Sequence, residues 1–130
     1  MIAHVTEPPA FLRENQSMKS KSNTVPRNWG GSCQTWELLS RSDLAVFHER
    51  MPPGTSEVEH FHSEARQFFF VLEGELNITV LGRDYVLRAH EGLEVSPGER
   101  HVVRNISGGA TEFLAIAHPT TLGDRTVSST

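Results

Sequence analysis

Apolar and polar side chains alternate in Leu76-Asn77-Ile78-Thr79-Val80, a period of two that predicts a strand with one buried face. Strand-length runs of similar character occur at 34–40 (QTWELLS), 43–51 (DLAVFHERM) and 67–73 (QFFFVLE). They recur at 76–81, 85–89 (YVLRA), 101–107 (HVVRNIS) and 111–118 (TEFLAIAH), with a short strand expected inside EGLEVSPGERH. Turn residues punctuate them: Pro52-Pro53-Gly54, Gly74-Glu75, the LGRD hairpin at 81–84, Pro97-Gly98 and Gly108-Gly109. Short strands broken by Gly and Pro turns predict an all-β sandwich or barrel. No stretch reads as a long amphipathic helix.

The run 67–73 is apolar on both faces, with Phe69 and Val71 on one and Phe68, Phe70 and Leu72 on the other. Such a strand needs cover on both sides. One face fills the interior, and the other predicts a second layer from the same chain or from a partner in a homodimer. The ends read differently. Residues 1–30 are polar, contain Pro8, Pro9 and Pro26, and predict an extended arm, followed by a folded body over 31–119. Residues 120–130 (TTLGDRTVSST) predict a loosely held tail.

Composition narrows the function classes. The 130 residues suit one domain with a real core, and a net charge of −4 offers no basic footprint for nucleic acid. No apolar run approaches the roughly 20 residues that span a bilayer. The N-terminal MIAHVTEPPAFLREN does not read as a secretory signal, so a cytoplasmic setting is expected. Cys33 is the single cysteine, which excludes an internal disulfide and a cysteine-based zinc site. It has no basic activator nearby in sequence and reads as a small structural thiol.

Histidine carries the candidate chemistry. His60 and His62 are two apart, so a strand places both imidazoles on one face, as a divalent transition metal requires. Gln67 begins the next strand, and His101 arrives from a distant segment just after Pro97-Gly98. A lone His-x-His pair is more often a surface feature, but here the surrounding spacing adds to it. Gly54, His60, His62, Gln67 and Gly74 resemble the first motif of the cupin superfamily, with Gln67 at the position of the family's glutamate. Pro97, Gly98, His101 and Asn105 resemble the second motif more loosely: Ser96 stands where a proline is usual, and His90 aligns with the leading glycine.

The resemblance covers about residues 34–118, nearly all of the expected body. It is to the small single-domain type-2 cupins, of the quercetin-dioxygenase-like and mannose-6-phosphate-isomerase-like kind. It implies a double-stranded β-helix, or jelly-roll barrel, holding one divalent transition metal at His60, His62, Gln67 and His101. Iron, manganese or nickel is implied first, with cobalt, copper or zinc also compatible. Asn105 corresponds to a structural position. The activity implied is a dioxygenase or oxidase acting on a small oxygenated organic acid, enol or diketone. A non-redox isomerase or decarboxylase, and a metal-dependent ligand-sensing module, are the alternatives.

Gln67 bears on that choice. Three imidazoles and an amide leave a divalent ion its full formal charge, which favours an anionic, chelating substrate and acidifies a bound hydroxyl. The competing arrangement has three histidines alone, with Gln67 not ligating. Glu64 is the one candidate for a catalytic base, at the rim; a solvated loop acid is its plainer role. Trp36, Phe47, Phe69, Val71, Val103 and Phe113 are candidates for the cavity wall. Arg66 would aid an anionic substrate if it faced inward, whereas Arg104 is out of phase with His101 and is expected outside. His48 and His118 read as structural or rim residues, and His4 and His90 as arm and turn residues.

Overall fold

In the computed structural model, which describes residues 18–128, two antiparallel sheets face each other. The strands in chain order are β1 (Arg27–Trp29), β2 (Cys33–Ser40), β3 (Ala45–Met51), β4 (His60–Phe61), β5 (Arg66–Glu73) and β6 (Leu76–Val80). They continue with β7 (Arg83–Leu87), β8 (Gly92–Val95), β9 (His101–Arg104), β10 (Thr111–His118) and β11 (Thr126–Val127). One sheet runs β1-β2-β3-β10-β5-β8 and the other β11-β4-β9-β6-β7. This is the expected all-β double-stranded β-helix. Among the described residues no helix is long and apolar enough to cross a membrane.

The alternation in β6 does what its period dictates. Leu76, Ile78 and Val80 are buried in the core, joined from the facing sheet by Phe47, Phe69, Val71 and Phe113. The hairpin between β6 and β7 turns on Leu81 (φ 50°) and Gly82 (φ 80°), two consecutive left-handed residues that match the right-handed twist of the strands. Gly74 is required for a different reason. Its φ is 87°, and a Cβ there would lie 2.7 Å from the Ala110 carbonyl and 2.8 Å from Thr111 Oγ1.

The ends are more ordered than their composition predicts. Of the expected arm, residues 1–17, including His4, lie outside the described residues. Residues 27–29 form β1, which pairs with β2 through Arg27↔Thr35 and Trp29↔Cys33. Residues 126–127 of the expected loose tail form β11, paired with β4 through Val127↔His60. The backbone of the tail thus completes an otherwise open sheet edge beside the histidines.

Alternation alone could not assign faces on β2. Thr35 pairs with Glu49 and Trp36 with His48, so Trp36 lies on the outer face, edge-on to the His48 ring. Lys21 sits over Trp36 and joins Glu112, which also bonds His48, so the N-terminal segment covers this patch. Further along the same outer face, Phe68 remains 41% exposed, with Phe70 and Ile116 half-buried beside it. The strand that reads as apolar on both sides is therefore incompletely covered by the described residues.

Candidate metal centre

Three histidines, two on strands and His62 just after β4, converge inside the barrel. Pairing of β4 with β9 sets His60 directly opposite His101, and His62 follows on the same side of the chain. All three are buried, and one ring nitrogen of each lies within 4.8 Å of the others. The Pro97-Gly98 turn is tied to this cluster, since the Gly98 N–H donates to the His62 carbonyl at 2.7 Å.

Backbone carbonyls orient each ring. His60 Nδ1 faces Val58 O at 2.8 Å, His101 Nδ1 faces Glu99 O at 2.9 Å, and His62 Nδ1 bonds Asp124 O. A carbonyl only accepts, so each Nδ1 is the protonated nitrogen and each Nε2 carries a free lone pair. His62 Nε2, His101 Nε2 and Gln67 Oε1 are buried without a hydrogen-bond partner. Buried polar atoms are nearly always satisfied, so the orphaned nitrogens of the clustered His62 and His101, with the Gln67 oxygen on the cavity that His62 lines, fit a bound cation. Burial lowers the proton affinity of all three imidazoles, against the backbone acceptors that raise it, and His60 falls to about 4. Neutral rings at physiological pH are the ligand form.

Gln67 stands on β5, buried, and lines the same cavity as His60 and His62. The structure thus clusters the three expected histidines and sets Gln67 on the cavity that His60 and His62 line. Glu64 is exposed and does not line the cavity; its backbone N–H donates to Asp124 Oδ2 at 2.9 Å. Asp124 also accepts from the N–H groups of Ser63 and Ala65 at 2.8 and 2.9 Å. Burial alone would raise the Asp124 carboxyl, but these three donors hold it below the usual carboxylate range. Asp124 is therefore a clamp: its side chain fixes the loop after His62 while its carbonyl fixes the His62 ring.

The cavity measures about 360 Å³ and opens to solvent beside the tail. Phe47, Phe69, Val103 and Phe113 line it as expected, whereas Trp36 and Val71 do not. Arg66 and Arg104 are exposed, and Arg66 pairs with Glu94. The charged groups actually present are Glu49, Glu57, Arg27 and Arg125. Burial pushes Glu49 up to about 7, partly offset by the Thr35 hydroxyl, and pushes Glu57 up to about 8, partly offset by Arg125. Glu57 Oε1 lies 3.8 Å from His60 Nδ1 and accepts the Val103 N–H at 3.2 Å. For Glu49 the sequence did hold a signal: an acid in phase with Phe47 and Met51 on a core-facing strand. Glu57 and Arg125 sit in irregular segments, where no period reveals a facing direction. Cys33 is fully buried and burial raises its thiol, consistent with a structural role.

These shifts give the metal-free protein a two-sided pH dependence. His60, lowered to about 4, binds fewer protons than in the unfolded chain, so it reduces stability as pH falls from about 6.5 toward about 4, and His62 and His101 act in the same direction. Glu49 and Glu57 have raised folded values, so they reduce stability as pH rises from about 4.5 through about 8. The two effects offset between about 4.5 and 6.5, and above 6.5 only the carboxyl effect remains. Thermal melts of metal-free protein should give a maximum Tm on the acid side of neutrality and a decline toward pH 8. Glu57→Gln should flatten that alkaline decline; an unchanged decline in the variant would contradict the assignment.

The family model for the cupin domain matches residues 47–117. The HTH-type transcriptional regulator PuuR of Escherichia coli is 33% identical over 78 residues, which is 60% of this chain and 42% of that protein. The tetracenomycin polyketide synthase protein TcmJ of Streptomyces glaucescens is 34% identical over 81 residues, covering 58% of this chain and 53% of that one. The chain thus spans about half or less of the length of these relatives. Among solved structures, a predicted oxalate decarboxylase from Thermotoga maritima superposes with a TM-score of 0.72 at 23% identity, covering 78% of this chain and 97% of that one. The polyketide cyclase RemF from Streptomyces resistomycificus gives a TM-score of 0.69 at 20% identity, covering 80% of each chain. At these identities the structural likeness concerns the fold.

Proposed function

The chain belongs to the cupin family, and from that premise we propose a metal-dependent enzyme that binds a small oxygenated anion by chelation and transforms it by proton transfer. His60, His62, His101 and Gln67 would hold one divalent transition metal, iron, manganese or nickel before cobalt, copper or zinc. When bound, the ion supplies Lewis-acid polarisation of a substrate oxygen. The observation that carries the reading is the pair of half-buried carboxyls, Glu49 and Glu57, in the same cavity as His60 and His62. Their proton affinities lie near neutrality, where a group can both hold and release a proton. Arg125 fits the same picture. It lines the cavity, has no carboxylate within 4.0 Å among the described residues, and presents positive charge beside the histidines to an incoming anion.

In this mechanism the chain's own groups divide the work. Arg125 attracts and orients the anionic end of the substrate. The aromatic wall of Phe47, Phe69 and Phe113 excludes water and receives the apolar body. A carboxyl oxygen of Glu57 or Glu49 accepts a proton from an enolisable carbon or hydroxyl and returns it, which is isomerase, cyclase or decarboxylase chemistry. The names of a predicted oxalate decarboxylase and a polyketide cyclase among the structural neighbours are compatible with this class.

The oxidative reading, a dioxygenase or oxidase acting on an organic acid, enol or diketone, is the second. The open cavity favours it, because dioxygen and substrate need room together. The neutral donor set disfavours it, because without a carboxylate ligand a higher oxidation state is harder to reach. An oxygen electrode separates the two: turnover of small keto acids and diketones without oxygen uptake is expected, and stoichiometric uptake would overturn the non-redox reading. Binding without turnover would indicate a sensing module. Gln67→Glu adds the missing charge and should tighten divalent-metal binding by about tenfold, read by chelator competition. Unchanged affinity would place Gln67 outside the ligand set. The exposed face around Phe68 supports a homodimer, which sedimentation equilibrium would register as twice the 14.5 kDa chain mass.

A further inference from the structure

The cavity has a second polar end. On the inner face of the larger sheet, Gln67 pairs with Ala117, and Glu49 pairs with Phe113, four residues further along β10. Four strand residues correspond to about 13 Å of backbone. Between the two ends lies an apolar band, Phe47-Ala115-Phe69, aligned across three strands. At the remote end Glu49 accepts from the Thr35 hydroxyl. Trp29, brought there by the β1–β2 pairing, lines the same cavity, its buried indole Nε1 close to the Glu49 carboxyl but without a well-aligned hydrogen-bond partner.

An indole N–H only donates, and a carboxylate accepts. Side by side they complement a group that accepts one hydrogen bond and donates another. A hydroxyl does both, whereas a carboxylate would meet Glu49 as a like charge and a methyl would leave both groups unsatisfied. We infer that Glu49 and Trp29 form a hydroxyl-recognising subsite, so that the substrate is a flat, apolar-bodied molecule with a chelating acid at one end and a hydroxyl at the other. This rests on the proposed chelation at the histidines and deepens it by naming the substrate class. It disfavours a two-carbon acid, which is too short to reach from one end to the other.

The test uses zinc-loaded protein and two probes, salicylate and β-resorcylate, which differ by one ring hydroxyl para to the carboxylate. Isothermal titration should give β-resorcylate about tenfold tighter binding, the worth of one charge-assisted hydrogen bond. Glu49→Leu should abolish that preference between the two probes. Trp29→Phe, on a short edge strand, should reduce the preference several-fold and serves as the independent variant if Glu49→Leu fails to fold. Equal affinity of the two probes for the unaltered protein, or a preference that survives both substitutions, would overturn the subsite alone. Failure of both probes to bind zinc-loaded protein would overturn it together with the chelation it rests on.

Discussion

His101→Ala should lower divalent-metal affinity by about 10²–10³-fold, a quarter share of the roughly 10–16 kcal/mol seen for four-ligand structural sites. The reasoning is geometric. His101 is the one ligand supplied by a distant segment, and its register with His60 joins the two halves of the cage. It is only 1% exposed, so water cannot readily take the place of the lost imidazole. Its Nδ1 bond to Glu99 O fixes the ring before any ion arrives, and a preformed ligand loses little entropy on binding. The fold should tolerate the change better than the site does, because an alanine leaves the β9 backbone pairing intact. Metal affinity by chelator competition and Tm by calorimetry read the two consequences separately. A large loss of Tm with unchanged metal affinity would reverse the roles assigned to this residue.

The largest stability effect is expected elsewhere, at Asn105→Leu. Asn105 is fully buried, and its Nδ2 donates to Met51 O and Gly109 O, both at 2.8 Å. Its Oδ1 accepts from the Ser107 N–H at 3.0 Å and the Ser107 hydroxyl at 2.7 Å. One side chain thus holds the end of β3 and the loop between β9 and β10. Leucine has similar volume but leaves two carbonyls and one N–H without that partner. With an unsatisfied buried group costing about 1–3 kcal/mol, the loss should be about 3 kcal/mol or more. For a domain of this size that lowers Tm by about 10 °C. Metal stoichiometry of the folded variant should remain unchanged, since Asn105 is outside the ligand cluster. A shift of only a degree or two would show that the network is dispensable.

Of the four candidate ligands, His60 and His62 were legible as a pair that shares a face by spacing. Gln67 and His101 were legible because they fall on the motif positions that the chain shares with the family it resembles. The positions of the main strands were also legible, since β5 and β10 are long and strongly apolar and β6 alternates with a period of two. What remained hidden depends on register and long-range closure. The 120–130 segment carries no apolar period, yet Asp124 reaches back to residues 63–65 and β11 pairs with β4. Glu64 drew attention by proximity in sequence, but its backbone serves Asp124 while the cavity acids come from β3 and from the loop before β4. Trp36 and Trp29 make the same point. Trp36 was expected in the cavity wall and Trp29 fell in the expected arm, and only the pairing of β1 with β2 and of β2 with β3 reveals that Trp29 faces the cavity.

The neutral ligand set connects these observations. Glu57 lies 3.8 Å from His60 Nδ1, so a carboxyl group stands near the three histidines though not at the position of Gln67. A carboxyl on the neighbouring wall, outside the proposed ligand set, stays free to exchange protons with a substrate. That is the physical basis for preferring proton transfer over oxidation.

The most direct test of the metal centre is titration of metal-free protein with Co(II), followed by its visible d–d absorption. The account predicts saturation at one ion per chain, with bands that shift when salicylate is added and that are lost in His101→Ala. Absence of saturable binding, or a spectrum indifferent to His101→Ala, would contradict it.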